Sequence, residues 1–247
     1  MKDERLAVLI DADNVPYANV KEMLDEIANM GIQPLNEYTQ TGPSLPYRDG
    51  RVLLENAITP IQQYSYTTGK NSSDSALIID AMDLLYSEKV NGFCIVSSDS
   101  DFTRLAIRLR EAGMLVIGLG EKKTPKPFIT ACDKFIYIEI LKKETESQSN
   151  EKGKQQKTQK SAAASVNQID ADLIKLITDS IDEISDENGW AFLGTLGNYI
   201  LKKKTDFDPR NYGFPKLFPL IKKIDKFAIE EKETGENNIR HIYVRNK

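Results

Sequence analysis

The sequence contains a single histidine, His241, and only two cysteines, Cys94 and Cys132. Zinc fingers, multi-histidine zinc hydrolases and serine–histidine–aspartate triads need histidine, so its scarcity argues against all three. Two cysteines in apolar surroundings predict no disulfide framework and favour a reducing, cytoplasmic location. Any catalysis must therefore use carboxylates, hydroxyls, lysines or arginines.

Long hydrophobic runs are also missing. No apolar run reaches the ~18–20 residues that a membrane helix requires, so we expect no membrane contact. Residues 2–5 are charged and lead into only five apolar residues, a run that is too short for a signal peptide. The remaining composition is ordinary: 247 residues, 40% hydrophobic, 28% charged, with a formal net charge of −4.

Residues 142–168 divide the chain. They contain no aromatic residue and bury too little apolar surface to offset the entropy lost on ordering. We therefore expect a flexible linker at 142–168, between a first domain at 1–141 and a second domain at 169–247.

Strand-like and helix-like segments alternate in the first domain. The expected strands lie at 6–10, 32–38, 61–66, 93–96, 115–119 and 135–138. Continuous apolar runs such as 6–10 are typical of strands covered on both faces. Helical segments between them, including one that begins at Asp74, predict an α/β fold with a doubly wound, mainly parallel sheet and helices on both faces.

The second domain shows helical spacing three times, followed by two strand-like segments around Thr234-Gly235-Glu236-Asn237. Three helices and a β-hairpin predict a small winged-helix domain. We expect its core to contain the aromatic residues Trp190, Phe192, Phe207 and Phe218.

Carboxylates follow the buried strands of the first domain, at the sheet edge where such folds bind ligands. Asp11 and Asn14 follow one strand, Asp99 and Asp101 follow another, and Asp74 opens the helix between them. If the two strands are neighbours, four carboxylates converge on one cleft. Mg²⁺ or Mn²⁺ favours such oxygen ligands and can bridge them to phosphate, which would allow phosphodiester hydrolysis without histidine.

Each carboxylate alone has an ordinary structural explanation. Asp74 and Asp101 precede expected helices and could be N-caps. Asn14 could cap the next helix or hold Asp11 in place. Asp11 and Asp99 are harder to explain in this way, because each follows a buried strand closely.

Three segments, 8–14, 70–83 and 96–102, resemble in order and spacing the NYN domain family, a branch of the PIN-like nucleases. The resemblance covers about residues 5–140 and implies a metal-dependent ribonuclease. Ser98 replaces the glycine of the family's Ser-Gly-Asp motif, and residues 41–50 differ from the loop expected there. The implied metal site consists of Asp11, Asp74, Asp99 and Asp101, with Asn14 in support.

The second domain resembles an OST-HTH (LOTUS) domain through Gly189-Trp190, residues 207–214 and Lys216-Leu217. This resemblance implies RNA binding or, in some members, contact with a partner protein. Residues 201–226 hold eight basic and three acidic residues, a net charge of +5, although a solvated helix face with core aromatics would look the same. The residues expected to contact RNA are Lys202, Lys203, Arg210, Tyr212, Lys216 and Lys222.

Two rival interpretations stay open. Asp11 and Asp13 also fit the opening motif of haloacid-dehalogenase-like phosphatases, in which Asp11 would attack phosphorus. Against this, a helix directly after Asn14 would leave no room for the flap of those enzymes. Alternatively, the chain is a non-catalytic RNA-binding or adaptor protein. We favour a cytoplasmic ribonuclease that uses Mg²⁺ or Mn²⁺ and whose second domain captures RNA.

Overall fold

The structure is a computed structural model, and it describes residues 5–11, 14–15, 19–30, 33–41, 58–62, 72–141, 167–234 and 239–247. The chain divides into two compact units, Met1–Lys154 and Gln155–Lys247. Most of the expected linker, residues 42–50 of the unusual segment 41–50, and Asp13 lie outside the described residues. Within the described part, no helix is long and apolar enough to cross a membrane.

The first unit is built around a parallel sheet. Its strands are β1 (Arg5–Asp11), β2 (Gln33–Thr41), β3 (Thr59–Gln62), β4 (Gly92–Val96), β5 (Leu115–Gly120) and β6 (Lys134–Tyr137). All six run parallel, in the spatial order β3-β2-β1-β4-β5-β6. Because the order reverses between β1 and β4, their carboxyl ends form the topological switch point of a doubly wound sheet. The predicted α/β fold is confirmed.

Helices connect these strands. They include α1 (Val20–Asn29), α2 (Ser72–Tyr86), α3 (Thr103–Glu111) and α4 (Lys126–Ala131), with a 3-10 helix at Ser100–Phe102 leading into α3. The starts of two helices near the expected site differ from expectation. α2 begins at Ser72, so Asp74 lies in its first turn rather than in front of it. α1 begins at Val20 rather than directly after Asn14.

The central strands are apolar because both of their faces are covered. Leu6–Ile10 of β1 are each at most 1% exposed, and the four residues from Phe93 to Val96 of β4 are fully buried. Burial of a large apolar side chain stabilises a fold by about 1.5–3 kcal/mol. These two strands therefore form the rigid centre of the unit and fix the residues that follow them.

The ends of β4 and β5 approach each other unusually closely. A Cβ atom at Gly120, the last residue of β5, would lie 2.6 Å from the backbone oxygen of Ser97. That distance is too short for any side chain. Glycine at this position therefore allows the loop after β5 to pack directly against the loop after β4.

The second unit contains the helices α5 (Ala171–Ile184), α6 (Leu193–Lys203) and α7 (Leu217–Lys223) and a three-stranded antiparallel sheet. Its strands are β7 (Ala191–Phe192), β8 (Phe227–Thr234) and β9 (Ile239–Asn246), in the order β7-β9-β8. The predicted helices and hairpin are therefore confirmed. Its core includes the fully buried Ile177, Leu196, Ile200, Leu220 and Val244.

Of the four aromatic residues expected in the core of this unit, only one is buried. Trp190 and Phe218 are half-buried and lie outside the buried core. Phe207 is buried, but the side chain of Phe192 is 40% exposed. Phe192 follows the buried Ala191 in β7, and successive side chains of a strand point to opposite faces. Phe192 therefore lies on the face of the small sheet that points away from the core.

Candidate metal centre

The site is assembled where β1 and β4 end. The two strands pair in parallel, with Ile10 opposite Val96. Asp11, the last residue of β1, and Ser97, the first residue after β4, therefore lie side by side. The sequence predicted that the carboxylates would converge if β1 and β4 were neighbours, and the structure shows that they are.

Asp11 is a buried carboxylate held by two side chains. It is 3% exposed. Its Oδ2 accepts a 2.7 Å hydrogen bond from Ser97 Oγ and a 2.8 Å hydrogen bond from Asn14 Nδ2. Since both donors reach the same oxygen, they fix the orientation of the carboxylate at the end of β1. A charged group can remain buried when it is hydrogen-bonded in this way.

A chain of hydrogen bonds orders the loop after β4. Ser97 Oγ accepts from the Asp99 backbone N–H at 3.0 Å, and Asp99 Oδ1 accepts from the Asp101 backbone N–H at 2.9 Å. Asp99 is thus the N-cap of the 3-10 helix. The sequence assigned a possible capping role to Asp101, which lies inside that helix instead. Capping fixes the Asp99 side chain in the loop after β4.

Three carboxylates lie close together in front of this loop. Asp74, Asp99 and Asp101 each place one carboxylate oxygen in the cluster. These three oxygens lie within 4.8 Å of one another. Asp74 and Asp99 are half-buried, whereas Asp101 is exposed. Like charges at this distance repel each other, and a hard divalent cation between them would reverse that repulsion. The donor set, which is purely carboxylate, fits Mg²⁺ or Mn²⁺.

Asp11 lies beside this group rather than within it. Among the described residues, the cluster of mutually close carboxylates comprises Asp74, Asp99 and Asp101. Asp11 is connected to it through Ser97, whose hydroxyl contacts both the Asp11 carboxylate and the Asp99 backbone. The structure thus gathers all four expected aspartates and Asn14 around one end of the sheet, in two linked groups.

Serine side chains position the site in a way that the sequence only partly indicated. Ser98 Oγ accepts a 2.8 Å hydrogen bond from the backbone N–H of Glu121, in the loop after β5. Ser97 and Ser98 therefore both act as hydrogen-bonding residues at the end of a strand. A polar pair after a buried strand signals such a role, but the partner of Ser98, 23 residues later, could not be identified from the sequence.

A further carboxyl on α2 is electrostatically unusual. The pKa of Asp80 is raised above its ordinary value of 3.8, first by burial and second by the negative charge of Asp83. Neither residue belongs to the cluster of three carboxylates. Asp80 is therefore part of the helix that carries Asp74 and not part of the candidate metal centre.

The residues expected to contact RNA differ in availability. The side chains of Lys202, Lys216 and Lys222 are exposed. Lys203 forms a 2.6 Å ion pair with Glu183, and Arg210 forms a 2.8 Å ion pair with Asp208. Their charges are thus partly neutralised within the protein.

Tyr212 requires a correction. It is only 6% exposed, it belongs to the core of the second unit, and its hydroxyl accepts a 3.2 Å hydrogen bond from Lys204 Nζ. A ring packed in this way has no free face on which a base could stack. Tyr212 therefore stabilises the fold, and the prediction that it contacts RNA was wrong.

The fold and the carboxylates at its switch point define the first unit as a PIN-like α/β domain. The NYN domain model matches residues 5–139, more than half of the chain, and the chain therefore belongs to the NYN domain family. The OST-HTH/LOTUS domain model matches residues 164–239. Both predicted resemblances are confirmed, in the predicted order. Together the two domains support a nuclease with an RNA-binding module.

Solved structures offer weaker likenesses. A Vibrio parahaemolyticus protein of unknown function is 19% identical, with a TM-score of 0.45, over 55% of this chain and 93% of its own. An uncharacterized Nitrosomonas europaea protein is 34% identical, with a TM-score of 0.30, over 38% and 92%. A Chromobacterium violaceum protein is 32% identical, with a TM-score of 0.26, over 30% and 78%. No curated protein matches the chain. The family assignment therefore rests on the two domain models.

Proposed function

We propose that this protein is a metal-dependent ribonuclease that hydrolyses RNA phosphodiester bonds at the carboxyl ends of β1 and β4. The observation that carries the proposal is the cluster of Asp74, Asp99 and Asp101 at the switch point of a NYN domain. The buried free thiols of Cys94 and Cys132 suit the reducing, cytoplasmic environment that we expect for it.

The carboxylates would bind Mg²⁺ or Mn²⁺ from two adjacent positions. Asp74, Asp99 and Asp101 supply closely spaced oxygens, and Asp11 supplies a buried carboxylate beside them. Asn14 and Ser97 orient Asp11 through hydrogen bonds to its Oδ2. A bound ion would lower the pKa of a coordinated water and stabilise negative charge on the scissile phosphate.

The second unit would hold the RNA. The exposed Lys202, Lys216 and Lys222 can each neutralise a phosphate, which gives binding without sequence preference. Lys203 and Arg210 contribute less, because acidic neighbours already pair with them. Connecting this unit to the first in one chain raises the local concentration of RNA at the metal centre.

The decisive experiment compares the wild type with Asp99→Asn. This change removes one negative charge from the cluster while keeping the size of the side chain and an oxygen that can still cap the 3-10 helix. We expect loss of Mn²⁺-dependent cleavage of internally labelled RNA, with RNA affinity measured in EDTA unchanged. Asp83→Asn, which changes an exposed carboxylate outside the cluster, is the matched control and should cleave normally.

Two outcomes would contradict the proposal. Equal cleavage by the wild type and Asp99→Asn would indicate a contaminating nuclease. A phosphoryl group trapped on Asp11 would instead support the phosphatase interpretation. The geometry favours the nuclease, because the Asp11 carboxylate is buried and receives two hydrogen bonds on one oxygen, an arrangement that orients a ligand.

A further inference from the structure

The small sheet of the second unit has an outer face that carries aromatic and basic side chains. In β9, Val244 is fully buried, so its neighbours Tyr243 and Arg245 point to the opposite face. The strand register places Phe192 opposite Tyr243 and Lys232 opposite His241 on that same face. The residues of the outer sheet face include Trp190, Phe192, Glu230, Lys232, His241, Tyr243 and Arg245.

Three rings lie together on the outer sheet face. The Phe192 ring centroid is 5.2 Å from that of His241 and 5.8 Å from that of Tyr243. Phe192 remains 40% exposed in spite of these contacts. Gly194 leaves room for this ring, because a Cβ at that position would lie 2.8 Å from it. The result is an apolar aromatic platform that is open to solvent.

Cations flank the platform on the same face. Lys232 Nζ lies 5.0 Å from the centre of the Tyr243 ring, and the Arg245 guanidinium lies 4.8 Å from that of Trp190. Glu230 forms a 3.3 Å ion pair with Lys232 and partly offsets its charge. Cations held against aromatic rings are placed to meet a negatively charged ligand while the rings meet its flat surfaces.

Single-stranded RNA has the chemistry that matches this arrangement. Its bases have exposed π-faces that stack on aromatic side chains, and its phosphates attract lysine and arginine. In a duplex the same base faces are hidden within the helix. The outer sheet face thus differs from the lysines at the ends of α6 and α7, which can recognise phosphate in either form.

We propose that the outer sheet face binds single-stranded RNA, with bases stacked on Phe192 and Tyr243 and phosphates contacted by Lys232 and Arg245. The inference rests on the proposed RNA-binding role of the second unit and adds a preference for unpaired RNA. It is independent of catalysis, because none of these residues belongs to the candidate metal centre.

The test uses the 247-residue chain in EDTA, so that no cleavage occurs. The ligand is a single-stranded RNA about 12 nucleotides long, within the site sizes of comparable binders. Trp190 is the only tryptophan in the chain and packs against Arg245, so its fluorescence reports on this face. We expect RNA to change Trp190 emission and a duplex of the same sequence to bind more weakly.

Variants identify the contacts. Phe192→Ala and Tyr243→Ala should each weaken binding roughly 5- to 150-fold, the range that corresponds to loss of one stacked base. Phe192→Tyr should restore most of the affinity. Tyr86→Ala changes an aromatic residue that is 70% exposed on α2 of the first unit, and it should leave affinity unchanged. Circular dichroism of each variant checks that the second unit remains folded.

The salt dependence of RNA affinity tests the phosphate contacts separately from the stacking contacts. For single strands, each phosphate contact contributes about −0.7 to the slope of log affinity against log salt. Lys232→Ala should therefore reduce the magnitude of the slope by about that amount. Phe192→Ala should weaken binding without changing the slope.

The proposal is overturned if Phe192→Ala and Tyr243→Ala both bind RNA as tightly as the wild type. Equal affinity for single-stranded and duplex RNA would also contradict it. A wild type that binds RNA through these residues but never cleaves it would contradict the nuclease proposal alone. A wild type that cleaves RNA while both variants bind normally would contradict only the inference about the outer sheet face.

Discussion

Ser97 donates a 2.7 Å hydrogen bond to the Asp11 carboxylate, although the two residues are 86 positions apart in the sequence. The same hydroxyl accepts a hydrogen bond from the backbone of Asp99. One buried serine thus joins the end of β1 to the loop after β4. It links the buried carboxylate to the cluster of three aspartates.

Replacing this serine should disturb stability and activity together. In Ser97→Ala, Asp11 Oδ2 loses the hydrogen bond from the serine hydroxyl, and the Asp99 N–H loses the serine oxygen that accepts from it. Loss of a buried hydrogen bond that leaves a polar group unsatisfied lowers the free energy of unfolding by about 1–3 kcal/mol. Urea denaturation should reveal this loss, and metal-dependent cleavage should fall. Ser100→Ala, at an exposed neighbouring position, should behave as the wild type in both assays.

Ser98→Gly tests the residue that departs from the family motif. The change restores the glycine of the Ser-Gly-Asp motif but removes the hydrogen bond to the Glu121 N–H. We expect unfolding to become easier by about 1 kcal/mol and the Glu121 amide to exchange with solvent faster. The Asp99 amide, which is bonded to Ser97, should keep its exchange rate and serves as the internal control. Unchanged exchange at Glu121 would show that Ser98 does not hold the loop.

Asp101→Asn should weaken metal binding. One carboxylate oxygen of Asp101 lies within 4.8 Å of one oxygen each from Asp74 and Asp99, so the substitution removes one of three negative charges that would hold the cation. Mn²⁺ affinity, measured by calorimetry, should fall at least about tenfold. A variant with wild-type Mn²⁺ affinity would exclude Asp101 from the site.

Asp80 should make the fold less stable at neutral pH. Burial and the nearby Asp83 raise its pKa in the folded state above the ordinary 3.8, so the folded protein binds this proton more tightly than the unfolded chain. Its stabilising contribution is present below pH 3.8 and is lost as the pH rises through the folded pKa. Asp80→Asn should therefore stabilise the protein at pH 7 and have little effect below pH 3.8. Urea denaturation at both pH values tests this expectation. A lower unfolding free energy for the variant at pH 7 would contradict it.

Much of the fold of the first unit could be predicted because its strongest signal is local. The runs around Leu9 and Ile95 are apolar because both faces of β1 and β4 are covered. The adjacency of those strands was only a condition in the sequence argument, since pairing between segments 86 residues apart leaves no local signature. The same limit hid the partner of Ser98, which lies 23 residues later. The cap formed by Asp99 is instead a local contact, and it was assigned to Asp101 because the 3-10 helix in front of α3 was not foreseen.

The aromatic residues of the second unit show most clearly that the sequence alone does not assign each side chain to the core or to the surface. Phe192 was expected in the core and is exposed, whereas Tyr212 was expected at a surface and is buried. A strand reverses the direction of its side chains at every residue, so a two-residue strand such as β7 gives no pattern from which to assign a face. Tyr212 ends a 3-10 helix just before Gly213, whose φ of 83° turns the chain. Spacing in the sequence does not reveal which way a ring points in such a turn.

The central position of β1 in the sheet affects how the protein must be made. The ribosome synthesises β1 before β2 and long before β4. One edge of β1, which is almost wholly apolar, therefore stays unpaired until β4 is synthesised 86 residues later. At ordinary elongation rates this interval lasts roughly 4–17 s. During that time the nascent segment is a target for chaperones and a nucleus for misassembly.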